Sequence, residues 1–233
     1  MMKNLPNVVT CMNLYAGCLS CVLTLSYNNY IGAFIFILLA ACFDFLDGFV
    51  ARLIKAYSSI GAQLDSLADV VSFGMAPGFM IYSFLSTSSG SIPYAANVPF
   101  FAFLIPIFAA LRLAKFNIDK RQTSSFLGLP VPANALFWSS LIPSISLSES
   151  NTIFYTILVL LLIVVFCVLM VSELPMFSIK FFHYKWLGNQ YPYIMILSAL
   201  LLIALFHLSG IWIAVVCYIC LSLFRYVFVV NKR

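Results

Sequence analysis

Residues 43–69 read FDFLDGFVARLIKAYSSIGAQLDSLAD. This stretch holds Asp44, Asp47, Asp65 and Asp69, four of the seven acidic residues in the chain. Asp44 and Asp47 are three positions apart, and Asp65 and Asp69 are four apart. Both spacings place the carboxylates of a pair on one face of a helix. The surrounding chain is apolar: 64% of its 233 residues are hydrophobic, 8% are charged, and the mean hydropathy is +1.07. A soluble domain carries about 25% charged residues. The composition therefore defines an all-α integral membrane protein. Its net charge of +5 reports membrane topology rather than a nucleic-acid partner.

A membrane-spanning helix needs about 20 mostly apolar residues. Working outward from residues 43–69, eight segments have this character, at roughly 8–26, 30–54, 62–86, 97–117, 131–148, 151–171, 191–208 and 210–229. The last two are divided only by Ser209–Gly210. An even number of spans puts both termini on one side. All 12 Lys and Arg then fall on that side, in Lys3, Arg52, Lys55, Arg112, Lys115, Lys120, Arg121, Lys180, Lys185, Arg225, Lys232 and Arg233. The opposite loops hold one acid, Glu149, and no Lys or Arg. Positive charge marks the cytoplasmic side, so both termini are expected there. The four Asp lie late in segment 2 and early in segment 3, just inside the same boundary. The two segments are expected to form an antiparallel hairpin turning near Tyr57–Gly61. No internal repeat is visible, and residues 1–233 read as one membrane domain. The N-terminus has no clear A-x-A cleavage site and reads as retained.

One charged side chain at mid-bilayer costs about 2.5–3.5 kcal/mol, and four acids together also repel one another. One or two divalent cations would relieve both problems. Oxygen-only ligands favour a hard ion, Mg²⁺ or Mn²⁺, over zinc. Two such ions close together suit phosphoryl chemistry, where they hold attacking and leaving oxygens. Gly48 and Ala51 lie on the Asp44/Asp47 face and let a ligand approach the backbone. Arg52 follows where it can meet a phosphate, and Gly61 leaves room where segment 3 begins. The plain structural alternative is a set of buried ion pairs, but Arg52 and Lys55 are too few for four acids. A cation site in a transporter is a second alternative. Transport sites usually lie near the bilayer midplane in paired repeats, unlike these acids.

The pattern Asp44-x-x-Asp47-Gly48-x-x-Ala51-Arg52, eight residues, then Gly61-x-x-x-Asp65-x-x-x-Asp69 resembles the full signature of the CDP-alcohol phosphatidyltransferases. That resemblance implies a metal-dependent, typically dimeric membrane enzyme with a six-helix family core, here followed by two C-terminal helices. It implies displacement of CMP from a CDP-linked lipid by an alcohol. It makes Asp44, Asp47 and Asp65 metal ligands, and Asp69 a ligand and the general base. It makes Asp47, Gly48, Ala51, Arg52 and Gly61 nucleotide and diphosphate contacts.

Further stretches bear on the alcohol. Asp65–Pro77, Leu111–Asn117, Gly128–Ala133 and Leu169–Ser172 resemble the phosphatidylserine synthase branch of the family, in which CDP-diacylglycerol and L-serine are the substrates. The glycerol-phosphate branch commonly has Pro and Lys where Ser66 and Val70 stand. A serine site needs a cation for the carboxylate. Arg112, Lys115 and Asn117 are candidates, for either the acceptor or a lipid phosphate. Lys115, Lys120 and Arg121 equally fit topology setting or anionic head groups. Another acceptor, glycerol 3-phosphate or inositol phosphate, is the alternative within the family.

The remaining polar residues read less sharply. Asn7, Thr10 and Asn13 recur every three positions, as a helix facing the site or as a plain polar stripe. Gly74-x-x-x-Gly78 fits helix packing, and Pro77 within it fits a kink. The seven cysteines, including the C-x-x-C pairs Cys18/Cys21 and Cys217/Cys220, lie in apolar segments without a nearby His and read as packing residues. His183 and His207 form no motif.

Overall fold

The computed structural model describes residues 5–55, 58–89, 96–119, 126–145, 152–177 and 190–227. The expected Lys3, Lys120, Arg121, Lys180, His183, Lys185, Lys232 and Arg233, together with Glu149, lie outside them. The first two helices, α1 (Leu5–Tyr27) and α2 (Tyr30–Leu53), pack along each other. The turn between them is two asparagines. Asn28 takes φ +49°, which Asn tolerates better than most residues. The Asn29 side chain caps α2 by accepting the Gly32 N–H at 2.8 Å.

Helix α3 (Ser59–Asp69) starts on a similar cap, with Ser58 Oγ accepting the Gly61 N–H at 2.9 Å. Of the turn expected near Tyr57–Gly61, Tyr57 lies outside the described residues, and α3 has begun by Ser59. A π-helical turn, Val70–Met75, joins α3 to α4 (Ala76–Ser89). The cause is local. Pro77 has no N–H to give to the carbonyl four residues back, and the ladder shifts register just before it, with the Ala76 N–H bonding the Val71 carbonyl. This continuous span is the centre of the bundle: 56% of its apolar window is buried, against 28–39% for the other long spans. Met80, Ile81, Phe84 and Leu85 form its core stripe.

A 3₁₀ turn (Val98–Phe103) leads into α5 (Leu104–Ile118). Both glycines of the Gly74/Gly78 motif meet α5. A Cβ at Gly74 would lie 3.2 Å from Pro106 Cα, and one at Gly78 would lie 3.1 Å from Pro106 Cδ. The motif therefore packs a helix and also spans the point of register change. Next come strand β1 (Phe126–Leu127), α6 (Val131–Leu141) with a 3₁₀ turn at Ile142–Ser144, and α7 (Thr152–Val171). Strand β2 (Pro175–Met176) pairs antiparallel with β1. Gly128 at φ +74° follows β1, where any side chain would run into the carbonyl of Met170.

Helices α8 (Gln190–Phe206) and α9 (Leu208–Arg225) pack together at the C-terminal end. The break between them is His207, at φ +50°, rather than Ser209–Gly210. Gly210 instead lets α9 close onto α8, because a Cβ there would strike the Leu202 carbonyl. All eight expected segments correspond to helices among the described residues. Among the described residues, six spans are long and apolar enough to cross a membrane. Helix α8 has 17 residues, and α6 has 11 before the 3₁₀ turn at Pro143 ends it short of residue 148.

Helix α1 crosses the central span at Gly17, whose added Cβ would lie 2.7 Å from Ser72 Cα. The Ser72 hydroxyl donates to the Asn13 carbonyl at 3.0 Å in the same crossing. Gly17→Val should separate the helices and cost about 1–3 kcal/mol. A lowered melting temperature in detergent, with activity lost in parallel, is the expected result.

Candidate active site

Asp44 and Asp47 come from the last turns of α2, and Asp65 and Asp69 from α3. The hairpin brings the two faces together. Carboxylate oxygens of Asp44, Asp47 and Asp65 all lie within 4.8 Å of one another. Asp69 stands outside that group but within electrostatic reach of all three.

The donors that hold these acids come from α1. The Thr10 hydroxyl donates to Asp47 Oδ2 at 2.6 Å, and the Asn13 amide donates to Asp69 Oδ1 at 3.3 Å. Thr10, Asn13, Asp47 and Asp69 are all buried. The stripe Asn7, Thr10, Asn13 thus faces the site, and its three-residue period was the signal for it. Asp65 Oδ1 is buried without a hydrogen-bond partner. A buried carboxylate oxygen left unpaired beside two more carboxylates is a group that a cation would satisfy. Asp44, Asp47 and Asp65 are the residues that fit a hard divalent ion.

An open cleft of about 300 Å³ lies against these acids. Asn7, Thr10, Asp47, Gly48, Ala51, Arg52, Gly61 and Asp65 are in its wall. Nothing lies within 4 Å of where a Gly48 Cβ would stand, so the backbone there is open to a ligand. Gly61 also serves the packing of the helices. A Cβ there would lie 2.9 Å from Asn7 Oδ1, so this glycine lets α1 sit close to α3.

Arg112, Lys115 and Asn117 do not line this cleft. Asn117 donates to Ser66 Oγ at 2.9 Å, joining α5 to α3. Lys115 donates to the Val171 carbonyl at 3.2 Å, at the end of α7. Arg112 is 7% exposed, and its Cζ lies 5.2 Å from the Phe116 ring centroid. It is within electrostatic reach of Asp69, and its Nε has no hydrogen-bond partner. Arg112 and Lys115 face a second, small cleft with Asp119, Ser172 and Glu173. Asp119 and Glu173 were not among the expected site residues. Their signal was composition, since any acid is rare in this chain.

A helix hairpin that gathers carboxylates at one end of an apolar bundle, beside a glycine-lined cleft, is the frame of a membrane-embedded transferase. The family model described as CDP-alcohol phosphatidyltransferase matches residues 3–173, and the chain belongs to that family. Among its relatives is the CDP-diacylglycerol--serine O-phosphatidyltransferase of Helicobacter pylori strain J99, 32% identical over 97% of this chain and 92% of that protein. The Bacillus subtilis protein of the same name is 36% identical over 56% of this chain and 71% of its own length. The archaetidylserine synthase of Methanothermobacter thermautotrophicus is 34% identical over 69% of this chain and 66% of that one.

Thr10→Val removes the donor to Asp47 while keeping the side chain's shape. Losing such a supporting hydrogen bond typically costs about 10- to 100-fold in metal affinity. A rise of that size in the Mg²⁺ or Mn²⁺ concentration needed for half-maximal activity is expected, with the fold unchanged by circular dichroism.

Proposed function

We propose that this protein transfers the phosphatidyl group of CDP-diacylglycerol to L-serine, releasing CMP and forming phosphatidylserine, a step of phospholipid biosynthesis. The grouping of Asp44, Asp47 and Asp65 beside an open Gly48 backbone carries the reaction class. The choice of serine is supported by the relatives, whose names specify serine as acceptor in bacteria or the serine lipid in an archaeon.

Asp44, Asp47, Asp65 and Asp69 would hold Mg²⁺ or Mn²⁺, two ions per site, and such ions would supply neutralisation of the diphosphate and of the departing CMP. Gly48, Ala51 and Gly61 let the nucleotide and diphosphate approach the backbone, and Arg52 meets a phosphate at the mouth of the cleft. Asp69, a ligand as well and oriented by the hydrogen bond from Asn13, accepts the proton of the serine hydroxyl. The serine oxygen attacks the phosphorus that bears diacylglycerol. The bond from that phosphorus to the CMP oxygen breaks, and CMP leaves with the electron pair. This single displacement inverts the phosphorus. Arg112, Lys115 and Asn117 serve the acceptor or the lipid phosphate. The protein is a homodimer surrounded by membrane lipids in a prokaryotic cytoplasmic membrane, with both termini and the site on the cytoplasmic face, where Arg52, Lys55, Arg112 and Lys115 lie.

Purified protein in detergent, given CDP-diacylglycerol and Mg²⁺ or Mn²⁺, should release CMP with serine and not with glycerol 3-phosphate or inositol phosphate. CMP release with glycerol 3-phosphate alone would overturn the acceptor. Metal uptake into sealed vesicles without CMP release would instead make this a transporter. Asp69→Asn should lower turnover by about 10²- to 10⁴-fold, the range of general-base catalysis. Near-normal turnover in a folded variant would remove its role as base.

A further inference from the structure

Two buried oxygens at the carboxylate site have no hydrogen-bond partner. One is Asp65 Oδ1, and the other is Asn13 Oδ1. Asn13 is fully buried, and its side chain is turned to the acids, since its amide nitrogen donates to Asp69 Oδ1 at 3.3 Å. An amide carries its oxygen and nitrogen on one planar carbon. The unpaired oxygen therefore stays beside the carboxylate that the nitrogen holds. Asp65 and Asp69 are one turn apart on α3, so the two unpaired oxygens belong to opposite ends of that turn.

An amide oxygen can only accept. At full burial it needs a donor or a cation, and a lone pair set among carboxylates raises the need. A water would satisfy one acceptor and leave the negative charge where it is. A hard cation takes oxygen lone pairs and removes that charge together. The three acids Asp44, Asp47 and Asp65 form a group that leaves out Asp69. An ion on the Asp69 side needs oxygens from beyond that group, and α1 supplies one. The main chain of Asn13 is fixed in advance. Its carbonyl accepts the Ser72 hydroxyl at 3.0 Å, and one turn later a Cβ on Gly17 would lie 2.7 Å from Ser72 Cα. A side chain on a helix locked in this way is already in place when an ion arrives.

We propose that Asn13 Oδ1 is a ligand of the divalent ion on the Asp69 side. The inference rests on the metal-dependent reading given above. The amide then works from both ends: its nitrogen orients Asp69, and its oxygen binds the ion. Because this ligand is neutral, it leaves more of the ion's positive charge for the diphosphate than a fifth carboxylate would.

The test reads metal binding directly, in purified protein in detergent with CMP present and no acceptor. Mn²⁺ is titrated into wild type, Asn13→Leu, Asn13→Ser and Asn13→Cys, and bound ions are counted by the loss of the paramagnetic resonance signal of free Mn²⁺. Wild type should bind two Mn²⁺ per chain. Asn13→Leu keeps the size of the side chain and loses both polar atoms. It should weaken one of the two ions at least about 10-fold and leave the other unchanged. Asn13→Ser is too short to reach the ion and should do the same, and it decides the point if circular dichroism shows Asn13→Leu unfolded. Asn13→Cys separates a ligand from a support for Asp69. A thiolate favours soft ions over Mg²⁺ and Mn²⁺. This variant should lose the same Mn²⁺ and take up one Cd²⁺ more than wild type, whose seven cysteines set the background. X-ray absorption should show sulfur bound to that Cd²⁺. Two Mn²⁺ at wild-type affinity in folded Asn13→Leu or Asn13→Ser would overturn the proposal. Loss of Mn²⁺ in Asn13→Cys with no Cd²⁺ gained would overturn it too and leave Asn13 only a donor to Asp69. If wild type releases CMP with serine but binds no Mn²⁺, the metal reading given above fails as well. If it binds one, the Asp69-side ion and this ligand fail, and the reaction stands.

Discussion

A carboxylate at the edge of a bilayer has little water to lean on, and Asp44, Asp47, Asp65 and Asp69 share that constraint. Placing them singly would cost about 2.5–3.5 kcal/mol each near mid-bilayer. The hairpin gathers them at one end of α2 and α3, and α1 supplies two neutral donors, Thr10 and Asn13. These donors satisfy Asp47 and Asp69 without neutralising them. Asp65 Oδ1 has no partner, and the negative charge of the group is left for a cation. An arginine or lysine among the four would have made a stable ion-pair cluster and a poor metal site.

Neutral donors of short reach work only if α1 comes very close, and the chain arranges that with backbone rather than side chains. Gly17 meets Ser72, and Gly61 meets Asn7. The first contact lies on the π-helical turn between Asp69 and Pro77. That turn changes the register of the central helix directly after its last functional acid. It presents Gly74 to α5, which packs Pro106 there and carries Arg112 toward Asp69. The register shift and the glycine contacts therefore fix the distance between the metal-side acids and the second cleft.

Much of this was legible in the chain. Carboxylates are so rare here that their spacing alone marked two helix faces, and the apolar runs marked eight helices. The signature marked the residues now found together in the first cleft because they lie on two consecutive helices, where helical period fixes neighbours. The polar stripe of α1 could be read two ways until packing showed which side it faced. How closely the acids of α2 approach those of α3 was not legible, because i, i+4 spacing says nothing about how far apart two helices stand. Nor was the Arg112 cleft. Its walls come from α5 and from residues 127 and 170–173, and no local period links segments that far apart. The α8–α9 break was misplaced for a related reason. A glycine read as a turn is used at Gly210 for close packing, and the turn falls on His207.

The match to the family ends at residue 173, before α8 and α9. Those helices still bear on the active end. The Tyr218 hydroxyl of α9 donates to the Phe177 carbonyl at 2.9 Å, directly after β2. The two rings meet edge to face with centroids 5.0 Å apart. Tyr218 is also within electrostatic reach of Arg112. One residue of α9 thus anchors the end of the β1–β2 ribbon and lies within electrostatic reach of the buried guanidinium. A six-helix core can gather the metal-side acids by itself, since α1, α2 and α3 do that. The ribbon beside the second cleft is held from behind as well. The added pair supplies such a contact, so the part of the chain least informative as sequence bears on the ribbon beside the second cleft and not on the carboxylate group of α2 and α3.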